Sequence, residues 1–495
     1  MTLNRSVEAL VVILSATKNL NAYGRSRDSS LRSAPFRMTG GRLRLPRPFG
    51  PRNDGRRVIM LQRARRPRNV AVPAPLTTIG MKPQYTAGKA CPELVEGMPA
   101  GRAGGSPATR FFRWLMTNGQ LLCRAMKNII ADRTKLIDAS GIRKVFALGA
   151  TLKDPVDFSI GQPDFDVPEA LKEEAIKAIR AGRNSYSQTA GDETLKERIA
   201  EQVSKEYGWE NPAVMVVSGV SGGLLLAFLS LVNPGDEVIV PDPYFVIYKH
   251  LVNLLGGKCV FVDSYPDFEL PVGKIADAIT DKTKMIVLNS PCNPTGMVYS
   301  QRQVREVAEI AAKKDVLVLT DEIYERFCYD GECPSIAKYC KKSLLLKGFS
   351  KSYAMTGWRL GYAAVPESLK DVIEQMTKIQ QYTFVCAPTP FQKAALAALD
   401  YDVSDLVDAY RIKRDLLYDG LKDKFELIKP GGAFYAFVKA PGQAGATEFV
   451  EKAIKNKVLI IPGNVFSEKD THFRISYATT DEKIRQGTEI LCGLI

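Results

Sequence analysis

The 495 residues carry 68 Lys+Arg against 54 Asp+Glu, a formal net charge of +14, with 45% hydrophobic and 25% charged residues. A chain of this length and balance buries a large core in two or more domains, which excludes a low-complexity or fibrous protein. The sequence has no run of about 18 apolar residues, which argues against a helical membrane span.

The first 125 residues differ from the rest. They hold 22 Lys+Arg against 5 Asp+Glu, a net of +17, leaving −3 for the remainder, and 19 of the 22 bases are arginine. They also contain 11 Pro and 12 Gly, and neither helical nor strand periodicity persists. Such a stretch cannot bury enough apolar surface to offset its ordering entropy. An Arg-rich targeting peptide, a disordered nucleic-acid-binding arm, and upstream sequence translated from a misplaced start all stay open. The third is preferred, with Met126 near the true beginning, because the composition changes there. The apolar ALVVILSA at 9–16 adjoins Glu8 and precedes no convincing cleavage site, which argues against secretion. Because the basicity belongs to this leader, neither nucleic acid nor membrane is expected as a partner. Nine scattered cysteines do not make a compact disulfide framework, and a reducing, cytoplasmic setting is the simpler reading.

Next, DFSIGQPDFDVPEALKEEAIKAI predicts a turn at Gly161 and a helix with Pro168 at or near its first turn. NSYSQTAGDETLKERIAEQV places Tyr186 in a loop before a helix opening near Asp192 or Thr194. From Val214 apolar runs alternate with helical patterns: VMVVS, a helix from about Gly222, EVIVPDP, a helix from Phe245 to Leu255, KCVFVD, a helix near Ile275, MIVLNS, a helix from Val304 to Lys313, VLVLTDE, SLLLKGF and LGYAAV. This alternation predicts an α/β protein with a mainly parallel, doubly wound sheet. A long helical pattern from Pro388 leaves that sheet, and GGAFYAFVKA, VLIIPG and HFRISYA predict a smaller α+β domain. The expected division is leader 1–125, N-terminal segment of the small domain 126–170, large domain 171–400 and small C-terminal domain 401–495.

Three apolar runs end in polar groups: KMIVLNSPCNPTG delivers Asn293, DVLVLTDEIYERF delivers Asp321 and Tyr324, and SLLLKGFSKSYAMTGWRLGY delivers Lys351 and Arg359. If these strands are parallel, their carboxyl ends share one crevice, where open α/β sheets bind ligands. Taken singly, Lys351 would read as a solvated loop lysine and Asn293 as a turn residue. Neither His250 nor His472 has a partner at metal-ligand spacing, so no metal site is expected.

The ordered set NPTG, TDEIY and SK with GWR resembles the class I and II aminotransferases of fold type I, which depend on pyridoxal 5′-phosphate. The resemblance covers about residues 126–495. It implies that Lys351 bonds the cofactor and serves as the proton-shuttling base, and that Asp321 sits beside the pyridine nitrogen. Asn293 and Tyr324 would donate to the ring oxygen, and Phe245 would stack on the ring, with Tyr248 one helical step further supporting Asp321. Val220, Ser221 and Gly222, at a glycine-rich turn leading into a helix, would cradle the phosphate with Ser350 and Arg359. Gly348 stands where some relatives place a phosphate-binding serine. Arg474 and Gly161 would meet the substrate carboxylate, and Tyr186 would reach the phosphate of a neighbouring subunit in a homodimer with shared sites.

The implied reaction moves the amino group of an L-amino acid to a 2-oxo acid such as 2-oxoglutarate by ping-pong chemistry, a step of amino-acid metabolism and biosynthesis. The same residues would serve a β-lyase or a decarboxylase. A DNA-binding regulator carrying an aminotransferase-like domain would need a helix-turn-helix in 1–125, and none is visible. A dicarboxylate substrate needs a second cation that no position in the sequence identifies, so aspartate or glutamate, alanine and aromatic substrates stay open.

Overall fold

The computed structural model describes residues 129–495 apart from Ser140 and Ala444; the leader and the start at Met126 lie outside the described residues. In chain order the strands are β1 (Val156–Asp157), β2 (Ala213–Val217), β3 (Glu237–Asp242), β4 (Lys258–Asp263), β5 (Thr283–Asn289), β6 (Leu317–Asp321), β7 (Ser343–Gly348), β8 (Gly361–Val365), β9 (Tyr435–Lys439), β10 (Val458–Leu459), β11 (Ile461–Pro462) and β12 (His472–Ser476). Seven form one sheet in the order β2-β8-β7-β6-β5-β3-β4. Their continuous apolar runs are what burial on both faces demands. Leu344 and Leu346 pack with Leu224 and Phe228 of helix Gly219–Leu231, while Leu345 turns the other way onto Leu195 and Ile199 of helix Glu193–Tyr207. Helix Gln301–Lys313 lays Val304 and Val307 on Ile286 and Val318.

Helix starts follow local chemistry. Asp192 caps helix Glu193–Tyr207 by accepting from the Leu195 amide at 3.3 Å. Ser300 and Gln303 form a reciprocal capping box that starts helix Gln301–Lys313 three residues before the expected Val304. Pro168 precedes helix Glu169–Arg180 as expected.

Four details depart from the sequence reading. β8 runs antiparallel to both β2 and β7, because residues 349–360 return from β7 without a helix and a parallel crossover needs one. The pattern after Pro388 splits into helices Thr389–Leu399 and Ser404–Leu421, where the Asp402 carboxylate accepts from the Ser404 amide at 2.9 Å and turns the chain. A further helix, Lys370–Tyr382, covers the sheet beside Gly219–Leu231. Finally, Cys328 and Cys333 are disulfide-bonded with their Cα atoms 5.7 Å apart, which corrects the reading of the cysteines at this one local pair. Cys259, Cys292, Cys340, Cys386 and Cys492 are free.

Beyond the main sheet, β11, β12 and β9 pair antiparallel in that order, and β1 pairs parallel with β10. The chain near residue 156 thus joins strands more than 300 residues later.

Candidate active site

Strand register brings the chemistry together. Asn289 at the end of β5 lies opposite Asp321 at the end of β6, and Asp321 lies opposite Leu346 of β7, after which the chain turns through Phe349 and Ser350 to Lys351. The carboxyl ends of three neighbouring parallel strands therefore open on a common cavity of about 310 Å³. Asp321 is buried, accepting from the Tyr248 hydroxyl at 2.8 Å and the Ile323 amide at 3.2 Å. Burial raises its pKa to about 6 against the opposing pull of those two donors and of Lys351. Asn289 ties the turn together: its Nδ2 donates to the Asp321 carbonyl at 2.8 Å, and its Oδ1 accepts from the Asn293 amide at 2.9 Å.

The Lys351 amine donates to the Gly161 carbonyl at 2.6 Å and lies 5.7 Å from the centre of the Tyr324 ring. Burial, then the charges of Arg474 and Arg359, lower its pKa to about 8, with Asp321 opposing. Such an amine is neutral often enough near pH 7 to act as a nucleophile.

At one end of the cavity, helix Gly219–Leu231 presents its N-terminus, with Val220 and Ser221 lining the space. Gly219 has φ +67°, and a Cβ there would sit 2.5 Å from the Arg359 guanidinium, so glycine is required on both counts. Arg359 donates to the carbonyls of Thr356 at 2.8 Å and Ser218 at 3.4 Å and forms no ion pair among the described residues. At the other end, Arg474 is 1% exposed on β12. It donates to Asn293 Oδ1 at 3.0 Å and the Ser159 carbonyl at 2.6 Å, and its charge lies 4.6 and 4.5 Å from the ring centres of Tyr435 and Phe466. Its Nε is buried without a partner. Keeping a guanidinium out of water with no carboxylate beside it costs several kcal/mol, so the position is built for an incoming anion.

Of the residues singled out in the sequence, Gly161, Val220, Ser221, Phe245, Asn293, Asp321, Tyr324, Ser350, Lys351, Arg359 and Arg474 all line this cavity. Gly222 is buried one residue behind them. Tyr186 does not line it and is 82% exposed. Sequence reasoning missed Tyr435, whose hydroxyl lies 2.8 Å from that of Tyr324, along with Asn289 and Arg143. Tyr435 sits in a run of strand residues, and its partner is 111 positions away, so no local signal marks it.

A low-pKa lysine, a buried carboxylate, a helix N-terminus beside an unpaired arginine, and a second buried arginine fit pyridoxal phosphate: an amine to bond it, an acid for its ring nitrogen and a cradle for its phosphate. This donor set and the sheet define a cofactor-dependent transferase acting on amino acids.

Comparison with known proteins agrees. Residues 153–491 match the family described as aminotransferase class I and II, and the chain belongs to that family. A probable aspartate aminotransferase of Methanocaldococcus jannaschii is 39% identical over 372 residues, which span 73% of this chain and 99% of that protein. An aromatic-amino-acid aminotransferase 2 of Thermococcus litoralis is 35% identical over 73% and 96%. Among solved structures, the aspartate aminotransferase of Thermus thermophilus with maleate superposes with a TM-score of 0.71 at 34% identity, covering 74% of this chain and 99% of that one. The chain is a pyridoxal-phosphate-dependent aminotransferase of fold type I.

Proposed function

We propose that this aminotransferase passes the amino group of an L-amino acid to 2-oxoglutarate by a ping-pong reaction at the cavity under Lys351. The observation that carries the reading is the meeting of Lys351, Asp321 and two arginines without carboxylate partners, Arg359 and Arg474, in one cavity. The bound cofactor supplies an electron sink for the carbanion formed at the substrate Cα. Asp321, positioned by Tyr248 and Asn289, holds the ring nitrogen protonated. Arg359, Ser221, Ser350 and the amides of Val220 and Gly222 hold the phosphate, and Phe245 walls the ring. Asn293 and Tyr324 donate to the ring oxygen, with Tyr435 orienting Tyr324. Arg474 takes the substrate carboxylate beside Gly161. The Lys351 amine, once released by substrate, carries the proton away from Cα.

Two further parts belong to the proposal. The described residues within 126–170 and 401–495 form a small domain beside the large one, supported by the pairing of β1 with β10 and the packing of helix Ser404–Leu421 on Asp481–Cys492. The enzyme works in the cytoplasm as a homodimer in which Tyr186 reaches the partner's phosphate. The exposure of Tyr186 together with Tyr382, Phe384 and Val385 supports that interface. None of the described helices is long and apolar enough to cross a membrane.

The test is a screen of the purified holoenzyme with one amino acid at a time. The cofactor's absorbance should change with the donor and return on adding 2-oxoglutarate, with the matching oxo acid released. Release of ammonia or carbon dioxide instead, or no change with any amino acid, overturns the reading.

A further inference from the structure

Two of the cavity's cations meet one short stretch of chain. The Ser159 carbonyl accepts from Arg474 at 2.6 Å, and the Gly161 carbonyl accepts from the Lys351 amine at 2.6 Å. A Cβ on Gly161 would overlap the Tyr435 hydroxyl, so the stretch passes hard against the wall of the site. Residues 160–163 form no backbone-to-backbone hydrogen bond among the described residues. A segment with so few bonds of its own stays where its two ends are held.

The first end is secured by strands. Phe158 donates its amide to the Leu459 carbonyl at 2.9 Å and accepts from the Ser476 amide at 2.8 Å, while the Asp157 carboxylate accepts from the Ser159 amide at 2.8 Å. The second end has no strand. There the Asp164 amide donates to the Tyr410 hydroxyl at 3.0 Å, that hydroxyl donates to the Asp164 carboxylate at 2.7 Å, and the Lys413 amine pairs with the other carboxylate oxygen at 2.6 Å. Tyr410 and Lys413 both belong to helix Ser404–Leu421, and Lys413 also donates to the Thr479 carbonyl just after β12, the strand that carries Arg474.

These three groups are placed to hold and not to react. None of them lines the cavity. Tyr410 is buried with its ring against Phe165, Phe327 and Phe434, and Phe434 meets the Tyr324 ring edge-on. The Lys413 and Asp164 side chains are 13% and 23% exposed, so water and salt weaken this pair less than one on the open surface.

Resting on the reading above that Arg474 takes the substrate carboxylate, we propose that Asp164, Tyr410 and Lys413 are positioning residues that latch residues 159–161 onto helix Ser404–Leu421, and so set the two carbonyls that aim Arg474 and Lys351 into the cavity. The latch governs the carboxylate end of the site and leaves the phosphate end, at Gly219 and Arg359, unaffected.

The test uses Tyr410→Phe, which keeps the ring in its aromatic cluster, Asp164→Ala and the double variant. Each holoenzyme is titrated with the unreactive carboxylates propionate, maleate and 3-phenylpropionate, and the one that binds the wild type most tightly is followed in the variants. Its Kd, and the KM of the amino-acid donor, should rise about tenfold in each single variant, the effect of losing one hydrogen-bonded contact to a charged group. Pyridoxal phosphate affinity should stay within about twofold, which a general loosening of the fold would not allow. The double variant should be no worse than Asp164→Ala by more than about twofold, because both side chains act on one contact. Amide hydrogen exchange followed by mass spectrometry should speed up in the peptide covering 159–166 and not in the peptides of β6 and β7, in apoenzyme and holoenzyme alike. Unchanged exchange at 159–166, carboxylate and cofactor affinity lost together, or additive losses in the double variant would overturn the latch. If none of the three carboxylates binds the wild type, the role of Arg474 in the proposed reaction fails, and exchange at 159–166 alone decides the latch.

Discussion

The lowered pKa of Lys351 makes a quantitative claim about cofactor capture. With the amine at about 8, about one chain in ten carries it neutral at pH 7, against roughly one in three thousand for an ordinary lysine, so the apoenzyme holds about 300 times more reactive amine at pH 7 and should bond pyridoxal phosphate faster than an unperturbed amine. The bonding rate should rise about tenfold per pH unit below the midpoint and level off above it. Stopped-flow absorbance of apoenzyme mixed with cofactor measures this, and borohydride trapping followed by peptide mapping shows which lysine reacted. Burial is the largest cause of the shift and the Arg474 charge the second. Arg474→Leu should therefore move the midpoint upward and slow capture at pH 7, although Arg474 does not touch the cofactor phosphate in the proposed arrangement. A rate that is flat between pH 6 and 9, a midpoint unmoved by Arg474→Leu, or trapping at another lysine would refute the electrostatic account.

Tyr248→Phe removes the 2.8 Å hydrogen bond to Asp321 and keeps the edge-on contact with the Phe245 ring. Turnover should fall about tenfold with cofactor retained, and the acid limb of the pH profile should move to higher pH, because the carboxylate loses a donor that favours its ionised form. His472, stacked on Phe437 and enclosed by Tyr265 and Phe268, has its pKa pushed down to about 4 by burial, then by Lys439. The unfolded chain takes up this proton first, so the contribution to stability is full above about pH 6.5 and is lost as pH falls towards 4. Urea midpoints at pH 7.5 and 5 should differ less in His472→Phe than in the wild type; equal pH slopes would show that the ring is not held neutral.

How far the sequence carried the fold depended on which force set each feature. The strands of the large sheet were legible because burial on both faces leaves a continuous apolar run, as in β3, β5, β6 and β7. The meeting of Asn293, Asp321 and Lys351 was legible because parallel strands put their polar successors at one edge. The direction of β8, the break at residues 400–403 and the Tyr324–Tyr435 contact depend on segments that meet only after folding.

Gly348 and Arg474 show how burial decides between readings that sequence leaves level. By resemblance, Gly348 is a lost phosphate donor. Its backbone sits where a Cβ would lie 2.9 Å from Ile323 Cδ1, 3.0 Å from Val220 Cγ2 and 3.3 Å from the Leu360 carbonyl, so glycine lets β7 pack closely against Val220 and Ile323, and a larger residue there would require those side chains to shift. As for Arg474, an arginine among apolar strand residues could equally snorkel from a sheet edge. β12 is the middle strand of its sheet, paired with β11 on one side and β9 on the other, and its guanidinium is enclosed between Tyr435 and Phe466. The side chain is 1% exposed, and a buried cation without a carboxylate is stable only if the fold repays its desolvation elsewhere. The repayment is local, in hydrogen bonds to Asn293 and Ser159 and the faces of two aromatic rings. Those groups hold the cation in place but leave it un-neutralised, which is the condition for tight binding of a substrate carboxylate.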